Sequence, residues 1–183
     1  MKKLIEIIQN NNIRVIAIDG RCASGKTTFT QKLANYLNAE VIHMDDFFLR
    51  NELKTKERLS EVGGNIDYER FTFDVLEKLI TNKEFSFQRF DCSSQSLKEE
   101  IYIKNNSYII IEGTYAHHPM FLKYYDFKIF MTVNPLVQIN RLTNRNPKLL
   151  DRFINEWIPL EEQYFNTLDI KNNANYVIDT SNS

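Results

Sequence analysis

Arg14-Val-Ile-Ala-Ile-Asp19, followed at once by Gly20-Arg-Cys-Ala-Ser-Gly25-Lys26-Thr27, carries most of what the chain discloses about its architecture. The first six residues form a compact apolar run of β-branched type. Continuous rather than alternating apolarity marks a strand buried on both faces, hence a parallel sheet covered by helices. The next eight match G-x-x-x-x-G-K-[ST], and beyond them Phe29, Leu33 and Leu37 share one helical face. A glycine turn between a buried strand and an amphipathic helix curls its N–H groups inward, where the positive end of the helix dipole adds attraction for phosphate.

Working outward, similar apolar runs recur at Val41-Ile-His43, Tyr108 to Glu112, Lys128 to Val133 and Tyr176 to Asp179. Helical patterns lie between them. Leu4 to Ile8 forms a short amphipathic helix at the domain edge, and Phe71, Val75, Leu76, Leu79 and Ile80 share a face. Asn134-Pro135 reads as cap and first residue of a helix that turns Leu136, Ile139 and Leu142 inward. Leu150, Phe153, Ile154 and Trp157 continue as core, and Pro159 kinks or splits that segment. Arg50 to Gly64, with seven charges in fifteen residues, reads as an exposed, mobile connection. Phe85 to Phe90 and Glu100 to Lys104 suggest an antiparallel edge insertion. The expected fold is α/β: one three-layer P-loop domain with a five-stranded parallel sheet, an acceptor-binding insertion about 47–104 and a lid about 141–152.

Composition narrows the class. A chain of 183 residues, 43% apolar and 26% charged, fits one globular domain, and five Gly with four Pro exclude collagen-like or Pro/Gly-rich disorder. Twenty-three basic against 24 acidic residues leave a net charge of -1, so no global cationic field invites nucleic acid. Cys22 and Cys92 are too few for a disulfide framework or a zinc site and suit a reducing compartment. No stretch approaches the ~18 apolar residues of a membrane span. The expected setting is cytoplasmic, with no membrane partner; a homo-oligomer is compatible with the sequence.

The loop predicts ATP binding through Gly20, Ala23, Ser24, Gly25, Lys26, Thr27 and Thr28, with Lys26 on the β/γ-phosphates and the Thr27 hydroxyl on Mg²⁺. Cys22 within it reads as small filler, or alternatively as a thiol accessible beside the phosphates. A GTPase would carry a base-reading Asn/Thr-Lys-x-Asp element, and Asn134-Pro-Leu-Val follows the relevant strand instead. Motor ATPases need more chain. A second acidic site, His43-Met-Asp-Asp-Phe-Phe48, ends the second strand.

Ile18-Asp-Gly20, Ser24-Gly-Lys-Thr-Thr28, Asp45-Asp-Phe-Phe48, Ile111-Glu-Gly113 and Arg141-x-x-x-Arg145 together resemble the uridine kinase family of P-loop kinases. The related nicotinamide riboside kinases carry the same Asp-Asp-Phe-Phe string. The resemblance implies that Asp45 orients and deprotonates an acceptor hydroxyl beside Mg²⁺, with Asp46 supporting it on the acceptor. It implies that Glu112 belongs to the Mg²⁺ shell, and that Arg141 and Arg145, i and i+4 on one helix face, neutralise the transferring phosphoryl group. Arg152 is a weaker candidate for the same lid.

By the same resemblance Asp67 binds ribose hydroxyls, though a helix N-cap explains it equally well. Phe90 falls where the family stacks an aromatic ring on a base, and Tyr115 is assigned to the acceptor pocket. Ser93-Ser-Gln95 stands where a base-reading histidine is expected, a departure from uridine or cytidine specificity. His117 and His118 read as a surface turn, with the acceptor pocket as the alternative, and His43 as packed within its strand. The implied activity is ATP-dependent phosphorylation of a small-molecule hydroxyl acceptor, nucleoside-like, or else nicotinamide riboside, pantothenate or a sugar. A nucleotide-binding regulatory module without turnover is the alternative from another class.

Overall fold

The computed structural model describes residues 1–81, 84–105 and 108–182. Five strands form the main sheet: β1 (Val15–Gly20), β2 (Glu40–His43), β5 (Ile109–Glu112), β6 (Phe127–Thr132) and β7 (Tyr176–Asp179). Their order is β2-β5-β1-β6-β7, and every pairing is parallel. Position in that order explains the sequence pattern. Central β1 and its neighbour β5 are buried at every residue, whereas edge strand β7 alternates between half-buried and exposed.

Two apolar layers flank the sheet. On one side Leu4, Ile8, Leu33 and Leu37, from the helices Lys2–Asn10 and Lys26–Leu37, pack on Ile16, Ile18 and Ile110. On the other, Phe47, Phe71, Phe121, Tyr164 and Phe165 pack on Ile109, Ile111 and Phe130. The insertion is a separate antiparallel hairpin of β3 (Glu84–Asp91) and β4 (Ser96–Lys104), not an edge of the main sheet. A bulge between Gln88 and Phe90 breaks its alternation, so Phe85, Phe87 and Phe90 all turn inward.

The structure departs from the sequence pattern at four places. In the helix over 68–81, a π-helical turn at Thr72–Leu76 rotates the following residues back toward Phe71, and Ile80 emerges 72% exposed. In the helix Pro135–Arg145 the buried residues are Gln138 and Leu142, while Leu136 is 82% exposed over the first turn. Pro159 does not break its helix, because a π-helical turn at Phe153–Trp157 just before it absorbs the missing N–H; Ile154 there is exposed and Trp157 half-buried rather than core. The charged connection over 50–64 is exposed but folded. It contains the short helix Lys56–Ser60, and the Arg58 guanidinium lies 3.4 Å over the Tyr68 ring while donating to Gly64 O, Ile66 O and Glu69.

Candidate active site

Every strand of the main sheet delivers a polar group at its C-terminal end. β1 leads into the phosphate loop, β2 into Met44-Asp-Asp-Phe47, β5 ends at Glu112, β6 precedes Asn134, and β7 precedes Thr180. A parallel sheet gathers these ends along one edge, where open α/β folds form their crevices.

Asp19, fully buried, sets the loop's base. Its carboxylate accepts from Gly20 N, His117 N and the Tyr164 hydroxyl at 2.6, 2.8 and 2.8 Å. Gly20 has φ +141°, and a Cβ there would sit 1.9 Å from Met131 O, so only glycine lets the loop leave the sheet. The carbonyls of residues 20 to 24 are each met by a side chain. Lys26 Nζ donates to Gly20 O and Arg21 O at 2.6 and 3.0 Å, Gln138 to Cys22 O at 3.0 Å, Arg141 to Ala23 O at 3.1 Å and Thr180 to Ser24 O at 2.9 Å. The amides of Gly20, Arg21, Cys22 and Ser24 are likewise engaged, by Asp19, Met131 O, Glu161 and Arg21 O. The helix Lys26–Leu37 that follows has no side-chain N-cap, so its first turn adds N–H groups at the same place.

Opposite the loop, Asp45 stands in a short helical turn after β2 and is exposed at the crevice mouth. The protein packed around its inner side pushes its carboxyl above the ordinary value; Lys26 opposes this, Glu112 adds to it, and His43 and Arg145 oppose it. These five side chains therefore share one electrostatic neighbourhood. Glu112, 6% exposed, accepts a hydrogen bond from Thr27 Oγ1 at 3.4 Å and lies 2.7 Å from His43 Nδ1, a bond that raises the imidazole above its usual value. Gly113 (φ +139°) allows this approach, since a Cβ there would meet Met44 Cβ at 2.8 Å. Among the described residues no cluster of three or more His, Cys, Asp or Glu could hold a metal alone. The Thr27 and Glu112 oxygens nevertheless suit Mg²⁺, a hard cation that takes one or two protein oxygens and completes its shell with water and phosphate.

Other candidates land differently from expectation. Arg141 and Arg145 have different surroundings. Arg141 also donates to Thr180 Oγ1 and Thr180 O at 3.1 and 2.7 Å, bracing the loop, whereas Arg145 is exposed, with its guanidinium 5.8 Å over Phe153. Arg152 pairs with Glu156 on the surface. Asp67, 2% exposed, is an N-cap accepting from Arg70 N at 3.2 Å, yet its Oδ2 has no hydrogen-bond partner and lies 3.5 and 3.6 Å from Arg50 and Arg70 Nε. Asp46 pairs with Arg89 of the hairpin at 3.4 Å. Phe90 is 3% exposed and offers no open ring face. Gln95 is a turn residue with φ +53° whose amide bonds Cys92 O.

Tyr115 is 5% exposed, with φ +76° and its ring 4.8 Å from Tyr164; it is wall rather than open pocket. His117 and His118 do not form a surface turn. His117 is 2% exposed, 3.1 Å from Ala17 O, and burial lowers its pKa; His118 stacks on Tyr68 with centroids 5.3 Å apart. The Cys22 thiol, pushed up to about 12 by burial and by Glu161, accepts from Gln138 at 3.1 Å. Packing filler describes it; an activated nucleophile does not.

Sequence reasoning missed Thr114, Gln138, Glu161, Glu162 and Thr180, all of which touch the loop or its lysine. No local signal marks them, because they reach residues 20–26 from 88 to 156 positions away. Asp19 was legible in principle, as a polar residue closing a buried strand; His43 does not pack within its strand but stands half-exposed beside Glu112.

Residues 15–149 match the family model described as Phosphoribulokinase / Uridine kinase family. Among solved structures, the chain is similar to a possible uridine kinase from Bacillus stearothermophilus (TM-score 0.71, 22% identity, 97% of this chain and 94% of that one). It is also similar to a putative fructose transport system kinase from Silicibacter sp. TM1040 (TM-score 0.60, 22% identity, 90% and 89%). At these identities the likeness concerns the fold. Among curated proteins, tRNA dimethylallyltransferase of Francisella philomiragia is 28% identical over 106 residues, which span 56% of this chain and 32% of that protein. The match therefore covers about a third of that relative's length. No helix among the described residues is long and apolar enough to cross a membrane.

Proposed function

We propose that this chain, which belongs to the phosphoribulokinase / uridine kinase family, transfers the γ-phosphoryl group of ATP to a hydroxyl of a small, nucleoside-like molecule in the cytoplasm. The observation that carries the reading is Asp45 at the end of β2, across the crevice from the phosphate loop and within the field of Lys26, Glu112 and Arg145.

The loop amides and Lys26 hold the polyphosphate in line with the crevice. Asp45 accepts a hydrogen bond from the acceptor hydroxyl and takes its proton as the oxygen bonds to phosphorus and the bond to the ADP oxygen breaks. Such a transfer asks for orientation and charge neutralisation more than for a strong nucleophile. Thr27 and Glu112 would hold Mg²⁺, which would supply neutralising charge to the phosphates. Glu112 is kept in place by His43. Arg145, exposed at the end of its helix, supplies positive charge; Arg141 serves the loop instead.

Asp67 and Asp46 line the acceptor side, Asp67 with one oxygen unengaged by hydrogen bonds. The burial of Phe90 favours a second reading of the acceptor, as a molecule recognised through its hydroxyls rather than a stacked base, such as a sugar or pantothenate. Coupled-enzyme detection of ADP across nucleosides, nicotinamide riboside, pantothenate and sugars tests both. Stimulation by one compound names the acceptor. Tight ATP binding with no stimulation by any of them replaces the kinase reading with that of a nucleotide-binding regulatory module.

A further inference from the structure

We infer that Glu161 is a positioning residue for the phosphate loop and its lysine, an inference that rests on the kinase reading above. A carboxylate only 7% exposed is costly to keep unless donors meet its oxygens. Here both are met: Oε2 accepts from Cys22 N at 2.9 Å and Oε1 from the Thr114 hydroxyl at 3.3 Å. Thr114 has one proton to give, and Lys26 Nζ, a donor only, lies 3.4 Å from its oxygen. The hydroxyl has two acceptors at 3.3 Å, Glu161 Oε1 and Gly20 O, but Gly20 O already takes Lys26 Nζ at 2.6 Å and a carboxylate is the stronger acceptor. With the lysine donating to the threonine and the threonine to Glu161, the carboxylate holds both the loop's second turn and the ammonium group expected on the phosphates. Lys26 in turn opposes the upward push that burial gives the Glu161 carboxyl.

The adjacent residue reinforces the geometry. Glu162 takes Arg21 through two bonds at 2.6 and 2.9 Å, and Arg21 also donates to Val133 O at 3.1 Å. Successive helix residues point about 100° apart, so Arg21 and Cys22 are gripped from two directions by one turn of the helix Ile158–Thr167.

The test uses the full chain with exposed Cys92 replaced by Ser, so that iodoacetamide reports Cys22 alone. In Glu161→Gln, which keeps the shape and an acceptor for Cys22 N, Cys22 alkylation should accelerate about tenfold as the neighbouring charge is lost. The Kd for ATP should rise about tenfold, with Tm within about 3 °C of the parent. Unchanged alkylation and unchanged ATP affinity would overturn the inference. Thr114→Val provides an independent arm: ATP affinity should fall while alkylation stays near the parent rate, and parental affinity would overturn the link to Lys26. If the parent itself bound no ATP, the kinase reading would fail, while the alkylation rates would still report whether the Glu161 carboxylate sits beside Cys22.

Discussion

On one wall of the crevice, five consecutive carbonyls from Gly20 to Ser24 are met by four side chains from three parts of the chain: Lys26; Gln138 and Arg141 on one helix; and Thr180. On the other wall, few groups do most of the holding. Arg70, 10% exposed at its side chain, joins Asp46 O at 2.6 Å to Gln88 O at 2.7 Å and lies 4.3 Å over the Phe47 ring. Arg58 likewise joins Gly64 O, Ile66 O and Glu69. Many single bonds make a support that loses one member gracefully. A single guanidinium spanning two segments makes one that fails as a whole.

The largest effect should cross the crevice rather than test either wall. Asp45→Asn should lower kcat about 10²- to 10⁴-fold and leave ATP affinity unchanged in isothermal titration; near-normal turnover would remove Asp45 from the chemistry. Gly20→Ala strikes the loop where it has no redundancy, because the added Cβ meets backbone at 1.9 Å at a positive φ. It should cost more than about 3 kcal/mol, read as a loss of soluble folded protein or a steep fall in Tm.

The next two substitutions set the walls against each other. Arg70→Ala should cost about 2–4 kcal/mol in urea unfolding and raise KM for the acceptor, with ATP affinity retained. Arg141→Ala removes one brace among several and should raise KM for ATP about tenfold, with kcat nearly preserved and only a small change in Tm. If Arg141→Ala lowered kcat instead, the loop-bracing role would yield to direct action on the phosphoryl group. Smallest is a pH effect. Burial holds the His117 pKa below its unfolded value, so the unfolded chain binds the extra proton. The stabilisation is complete above about pH 6.5 and is lost as pH falls through the folded value. His117→Gln, able to donate to Ala17 O, should flatten that part of the stability profile in urea titrations.

How far the sequence could be read follows from the range of the interactions. The strand runs and the glycine loop are local, so β1, β5 and the loop were legible from composition and spacing alone. The second acidic site was legible because Asp45 follows directly on a strand that the sheet ends beside the loop. Arg141 and Arg145 stand on one helix as expected, yet their surroundings differ, since spacing sets the face and not which donor or acceptor lies opposite. Phe90 was placed as a platform because the one-residue bulge that turns it inward leaves no mark in the pattern.

The chain's own order of residues determined a buried β-branched strand, a phosphate-binding turn, and the helix behind it, because backbone preference and apolar periodicity act over a few neighbouring positions. Folding alone decided which distant groups close around that turn. Glu161, Gln138 and Thr180 reach it only because parallel strands deliver their C-terminal ends to one edge, where desolvation makes each bond consequential.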